Sequence, residues 1–175
     1  MKNIALIGFM GTGKTAVGQV LANKLGLKFI ELDSLIERKA GKSTPEIFQQ
    51  DGETAFRELE IEVTKEIARE KGSVIACGGG LVLNKINIDR LRENSIIVYL
   101  TSSPRVILKR VANEEGQRPL LEVEAPIMTI RELLKFRKPF YKHAADITIN
   151  TSKLGIDAIV GQIIEKLKEN ESFNL

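Results

Sequence analysis

Gly8-Phe9-Met10-Gly11-Thr12-Gly13-Lys14-Thr15 restricts what this chain can fold into more than any other stretch. It satisfies G-x-x-x-x-G-K-[ST], with the apolar run Ile4-Ala5-Leu6-Ile7 before it and the helical pattern Val17, Val20, Leu21, Leu25 after it. A strand must therefore pass through a glycine-rich loop into a helix. Glycines permit positive φ and carry no Cβ, so successive backbone N–H groups curl around a phosphate at the positive end of that helix. Lys14 then reaches the β- and γ-phosphates, and the Thr15 hydroxyl is placed to ligate Mg²⁺. A bound nucleoside triphosphate follows from the loop; the fate of its γ-phosphate does not.

The rest of the sequence supplies the frame. Strand-like runs at 27–33, 73–76, 95–100 and 147–149 follow the first strand and alternate with helical patterns. The fold class expected is α/β, a five-stranded parallel sheet with helices on both faces and right-handed crossovers. The 175 residues read as one domain, 1–175, without linker or repeat. Short helices at 34–40 and 45–50 and a long one at 53–71 look like an insertion beside the sheet, over about 33–60, and such an insertion is a candidate substrate-binding unit. Residues 113–125 break the periodicity, are polar, and hold Arg118 between two helices, a pattern that fits a lid over phosphates and a plain surface loop equally. A helix is expected over 127–144, with a kink or break at Pro139.

Charge and cysteine content narrow the function. The net charge of +3 is spread along the chain, which argues against a nucleic-acid surface. No apolar run approaches the roughly 18 residues of a membrane span, and no signal peptide opens the chain, so a cytoplasmic protein is expected. The single cysteine, Cys77, reads as a small buried apolar residue, and the single histidine, His143, as a surface or helix-end residue rather than a base.

Three absences separate the phosphate-loop classes. There is no Asn-Lys-x-Asp stretch for guanine, the chain is too small for a motor, and the third strand ends in Cys77-Gly78-Gly79-Gly80 rather than in a metal-binding Asp. Acids stand instead at the end of the second strand, where alternation would put Glu31 and Asp33 on one side. Phosphoryl transfer requires positioning and charge neutralisation, so one carboxylate near the acceptor hydroxyl suffices to orient it and take its proton; Asp33 is the candidate. An anionic acceptor would call for guanidinium groups opposite, and Arg57 and Arg137 are the candidates. Three glycines at a strand's carboxyl end clear side chains from the place where open α/β sheets bind ligands. These features leave open another small-metabolite kinase, such as a gluconate kinase, and a nucleotide-dependent switch with no acceptor.

The phosphate loop, Leu32-Asp33 with Ile36-Glu37, Ile47-Phe48, Asp51-Gly52-Glu53, Phe56-Arg57, Gly78-Gly79-Gly80, Arg118-Pro119-Leu120 and Arg137-Lys138-Pro139 occur in order, and together they resemble shikimate kinases. The resemblance runs from Ile4 to about Leu167. It implies a phosphate-loop, nucleoside-monophosphate-kinase-like fold that moves the ATP γ-phosphate to the 3-hydroxyl of shikimate, in the pathway to chorismate and aromatic amino acids. It implies ATP on Gly11, Thr12, Gly13, Lys14, Thr15 and Ala16, with Mg²⁺ on Thr15. It also implies Asp33 as catalytic residue and shikimate contact, Arg57 and Arg137 on the shikimate carboxylate, and Gly78, Gly79 and Gly80 as a backbone surface against it. Arg118 would reach the phosphates, Arg110 would stack on adenine, and Glu31 would be a second contact to the metal through water. In place of the family's usual Asp-x-Asp this chain has Glu31-Leu32-Asp33, one methylene longer at the first acid. ATP and shikimate are the expected partners of a monomer that binds neither nucleic acid nor membrane.

Overall fold

Five strands rich in β-branched residues line up side by side: Asn3–Ile7 (β1), Lys28–Glu31 (β2), Ser73–Ala76 (β3), Ser95–Thr101 (β4) and Ile147–Asn150 (β5). In the computed structural model, which describes residues 1–112 and 126–170, they pair in the order β2-β3-β1-β4-β5, every pair parallel. The central strand is thus the one that feeds the phosphate loop. The expected lid, 113–125 with Arg118, lies outside the described residues.

Alternation along the strands divides the core in two. Ile4, Leu6, Val74, Ile96, Val98, Ile147 and Ile149 pack with Val17 and Leu21 of Lys14–Leu25 (α1) and Ile159, Val160, Ile163 and Leu167 of Ile156–Glu169 (α8). On the opposite face Ala5, Ile7, Ile30, Ile75, Ile97 and Tyr99 meet the remaining helices. These are Leu32–Ala40 (α2), Thr44–Gln50 (α3), Gly52–Ile67 (α4), Lys85–Asn94 (α5), Pro104–Ala112 (α6) and Pro126–Ala144 (α7). Strands buried on both faces read as continuous apolar runs, which is what the sequence carries. No helix among the described residues is long and apolar enough to cross a membrane.

Two local expectations are corrected. The second strand stops at Glu31 and Asp33 sits in the first turn of α2, so strand alternation does not relate the two acids. Ser43 caps α3, accepting from the Glu46 amide at 3.4 Å while its own amide donates to Glu46 Oε2 at 2.8 Å. The long helix ends at Ile67 and not at 71, tightening into i to i−3 bonds from Arg69 to Glu66 and from Glu70 to Ile67. Helix α7 runs through Pro139 to Ala144. Pro139 is on the exposed side, where water can serve the carbonyl that loses its donor, while Ile130, Arg137, Tyr141 and Ala144 are buried on the other.

Candidate active site

The phosphate loop leaves the carboxyl end of β1 and enters α1 through Gly13, whose φ of +99° only glycine adopts without strain. No side chain caps α1, so the first amides of this helix remain for an anion. Thr12 Oγ1 donates to the Phe9 carbonyl at 2.8 Å and closes the loop. Lys14 Nζ donates to the carbonyls of Gly8 and Phe9, at 2.8 and 2.9 Å, and so lies along the loop it belongs to. Thr15 Oγ1 donates to Glu31 Oε1 at 2.6 Å, so the longer glutamate does reach the start of α1 from the end of β2.

The glycines after β3 form the wall on which the other candidates meet. A Cβ on Gly78 would lie 2.9 Å from Asp33 Oδ1 and 3.1 Å from Glu60 Oε2. One on Gly80 would collide with the Arg57 guanidinium, 2.7 Å from Nη1. One on Gly79 would stand 3.4 Å from the Met10 amide nitrogen and 3.8 Å from Arg137 Nη1. Side chains from α2, α4 and α7 and the backbone of the phosphate loop therefore converge on three residues that have no side chains. Asp33, Arg57, Arg137 and the glycine triplet come together as the sequence predicts, with Asp33 toward Gly78 and Glu31 toward Thr15.

Three contributors went unread in the sequence. Glu60, one helical turn after Arg57, is 1% exposed and accepts from Arg57 Nη1 at 2.9 Å. Tyr141, one turn after Arg137, is fully buried, stacks on Tyr99 at 5.0 Å between ring centroids, and donates to the Gly79 carbonyl. Phe9 lies under Arg137, 5.6 Å from ring centroid to guanidinium carbon. The i, i+3 and i, i+4 spacings were the available signal for the first two. Arg110 donates to the carbonyls of Gly11 and Thr151, at 3.2 and 2.9 Å, so its N–H edge is committed within the protein.

The electrostatics follow from burial. Loss of solvent pushes the Glu60 carboxyl above its ordinary value, against the pull of Arg57, and the Asp33 charge adds to the rise. Burial also raises the Tyr141 phenol, which stays protonated and a donor. Burial pushes the Cys77 thiol up to about 12, which makes it a packing group rather than a nucleophile. Arg137 is 7% exposed and its Nε finds no hydrogen-bond partner among the described residues, so a buried cation faces the glycine wall.

The shift of Glu60 has a measurable consequence. An acid whose folded pKa exceeds its ordinary 4.5 favours folding most below that value, and the advantage is lost as pH rises through the folded pKa. Glu60→Gln, neutral at every pH, is therefore expected to raise Tm at pH 7 above that of the wild type. The gain should vanish as the pH is lowered through 4.5 and the native carboxyl protonates in both states. Calorimetry across that range checks it, and a Tm at pH 7 below wild type contradicts it.

Comparison with known proteins adds the following. A family model described as shikimate kinase matches residues 10–168. A shikimate kinase of Caldanaerobacter subterraneus subsp. tengcongensis is 48% identical over 164 residues, spanning 94% of this chain and 95% of the relative. One of Thermodesulfovibrio yellowstonii is 45% identical over 166 residues, with 95% of each covered. Among solved structures, shikimate kinase from Acinetobacter baumannii in complex with shikimate superposes with a TM-score of 0.93 at 38% identity, covering 98% of this chain and 95% of that one.

Proposed function

Because the chain belongs to the shikimate kinase family, we propose that it transfers the γ-phosphoryl group of ATP to the 3-hydroxyl of shikimate, giving shikimate 3-phosphate and ADP. The observation that carries the proposal is the meeting of Asp33, Arg57 and the buried Arg137 on the side-chain-free wall Gly78-Gly79-Gly80. A compact ring bearing one carboxylate and several hydroxyls suits that wall better than a nucleotide.

In this reading the amides from Gly11 to Ala16 hold the ATP phosphates, and Lys14 exchanges the Gly8 and Phe9 carbonyls for the β- and γ-phosphate oxygens. Arg57 and Arg137 hold the shikimate carboxylate, and the backbone of Gly79 and Gly80 packs against the ring. Asp33 accepts a hydrogen bond from the 3-hydroxyl and takes its proton as that oxygen bonds to the γ-phosphorus and the bond to ADP breaks. Arg118 supports the developing charge from a lid at 113–125, and closure excludes the water that would otherwise hydrolyse ATP. The helices of 33–60 serve as the acceptor-binding unit. Arg110, held by its N–H edge, offers a guanidinium face to adenine. The protein acts as a cytoplasmic monomer on small molecules alone.

Hard oxygen donors suit Mg²⁺, and the Thr15 hydroxyl with the Glu31 carboxylate 2.6 Å away is such a pair. Mg²⁺ would be held by Thr15 directly and by Glu31 through water, and when bound it neutralises phosphate charge. Glu31→Ala is expected to raise the Mg²⁺ concentration for half-maximal rate about tenfold with little effect on shikimate KM, as loss of an outer ligand does. An unchanged magnesium titration contradicts that role.

ADP release measured with shikimate, gluconate, a nucleoside monophosphate and no acceptor tests the function. Release stimulated by shikimate alone is expected. Stimulation by gluconate or the nucleotide instead would name another kinase, and release indifferent to acceptor would name a nucleotide switch.

A further inference from the structure

Thr151, immediately after β5, is fully buried, and its hydroxyl oxygen sits among groups from three parts of the chain. It lies 3.0 Å from the Thr12 carbonyl, 3.2 Å from the Thr101 carbonyl, 3.2 Å from Arg110 Nη1 and in hydrogen-bond contact with Ser102 Oγ. Arg110 Nη1 also reaches Ser102 Oγ and the Gly11 carbonyl, each at 3.2 Å, and Nη2 reaches the Thr151 carbonyl at 2.9 Å. Two successive carbonyls in the middle of the phosphate loop are thus held from behind by β5 and α6.

A trans peptide points its C=O and the following N–H in opposite directions. Holding the Thr12 carbonyl toward Thr151 therefore turns the Gly13 N–H away from Thr151 and fixes the pitch of the loop at its sharpest turn, where glycine alone would leave the peptide free to rotate. We propose that Thr151 is a positioning residue for phosphate binding. Its hydroxyl, braced by Ser102 and Arg110, sets the Thr12–Gly13 peptide in the orientation that receives a diphosphate. The inference rests on the reading that Gly11 to Ala16 hold ATP.

Thr151→Val keeps the shape and removes the hydroxyl; Thr151→Ser keeps the hydroxyl. Titration calorimetry of the full chain with ADP, inorganic pyrophosphate and shikimate, each with Mg²⁺, separates the possibilities. Thr151→Val is expected to weaken ADP and pyrophosphate by the same factor, about tenfold for one lost buried hydrogen bond, leave shikimate unchanged, and be rescued by Thr151→Ser. A loss for ADP but not pyrophosphate would place the effect on the adenine side and overturn the proposal. So would equal loss for shikimate, or unchanged affinity for all three. Should Thr151→Val not fold, Ser102→Ala decides by the same ratio, with a smaller loss expected. Failure of the wild type to bind pyrophosphate or ADP would instead refute the reading of the loop itself.

Discussion

Asp33→Asn is expected to lower kcat for shikimate by about two to four orders of magnitude, the range of a positioned general base, while the KM for ATP stays near wild type. The exchange preserves shape, so what it removes is the capacity to accept a proton at Oδ1, the atom that stands against Gly78. The phosphate loop draws its own bonds from Phe9, Thr12, Gly13 and Lys14, which explains why nucleotide affinity should be spared. Steady-state kinetics with both substrates varied is the measurement. Retention of most of the turnover would remove Asp33 from the chemistry.

Lys14→Met is the second large effect, a fall in kcat of about a hundredfold to a thousandfold, the usual cost of removing one charged group aimed at developing negative charge. Lys14 in the structure donates to the Gly8 and Phe9 carbonyls, so in the proposed reading phosphate binding would exchange those partners of its ammonium for phosphate oxygens. Methionine keeps most of the aliphatic stem and loses both sets of bonds. Shikimate affinity measured without nucleotide is expected to change less than kcat, since in the proposed reading the acceptor carboxylate falls to Arg57 and Arg137 rather than to Lys14. A near-normal kcat would mean that other cations suffice at the γ-phosphate.

What the sequence disclosed and what it hid have separate physical causes. The phosphate loop was readable because its glycines are required by backbone geometry, which is local. The sheet was readable because strands buried on both faces need unbroken apolar runs such as Ile4 to Ile7. At Pro139 the missing N–H pointed to a kink or break, and no break occurs because burial of Arg137 and Tyr141 on the side opposite the exposed proline holds α7 together. Glu60 and Thr151 stayed hidden for another reason. A buried carboxylate and a buried hydroxyl become legible only once the guanidinium or carbonyl they serve is known, and Thr151 meets Thr12 across 139 positions of chain. Asp33 was named for the right wall but on the wrong element, since β2 is only four residues long and the chain turns helical before reaching it.

The pairing of β1 carries a consequence for how the protein comes into being. Ile4 is matched on one side with Val74 and on the other with Ile96, so neither edge of the strand that supports the phosphate loop has a partner among its near neighbours in sequence. During synthesis β1 precedes both of its partners, so its ladders close only after Ser73–Ala76 and then Ser95–Thr101 have followed. Thr151, which steadies the loop from behind, arrives later still. The phosphate loop therefore gains its full support only long after its own residues have been made.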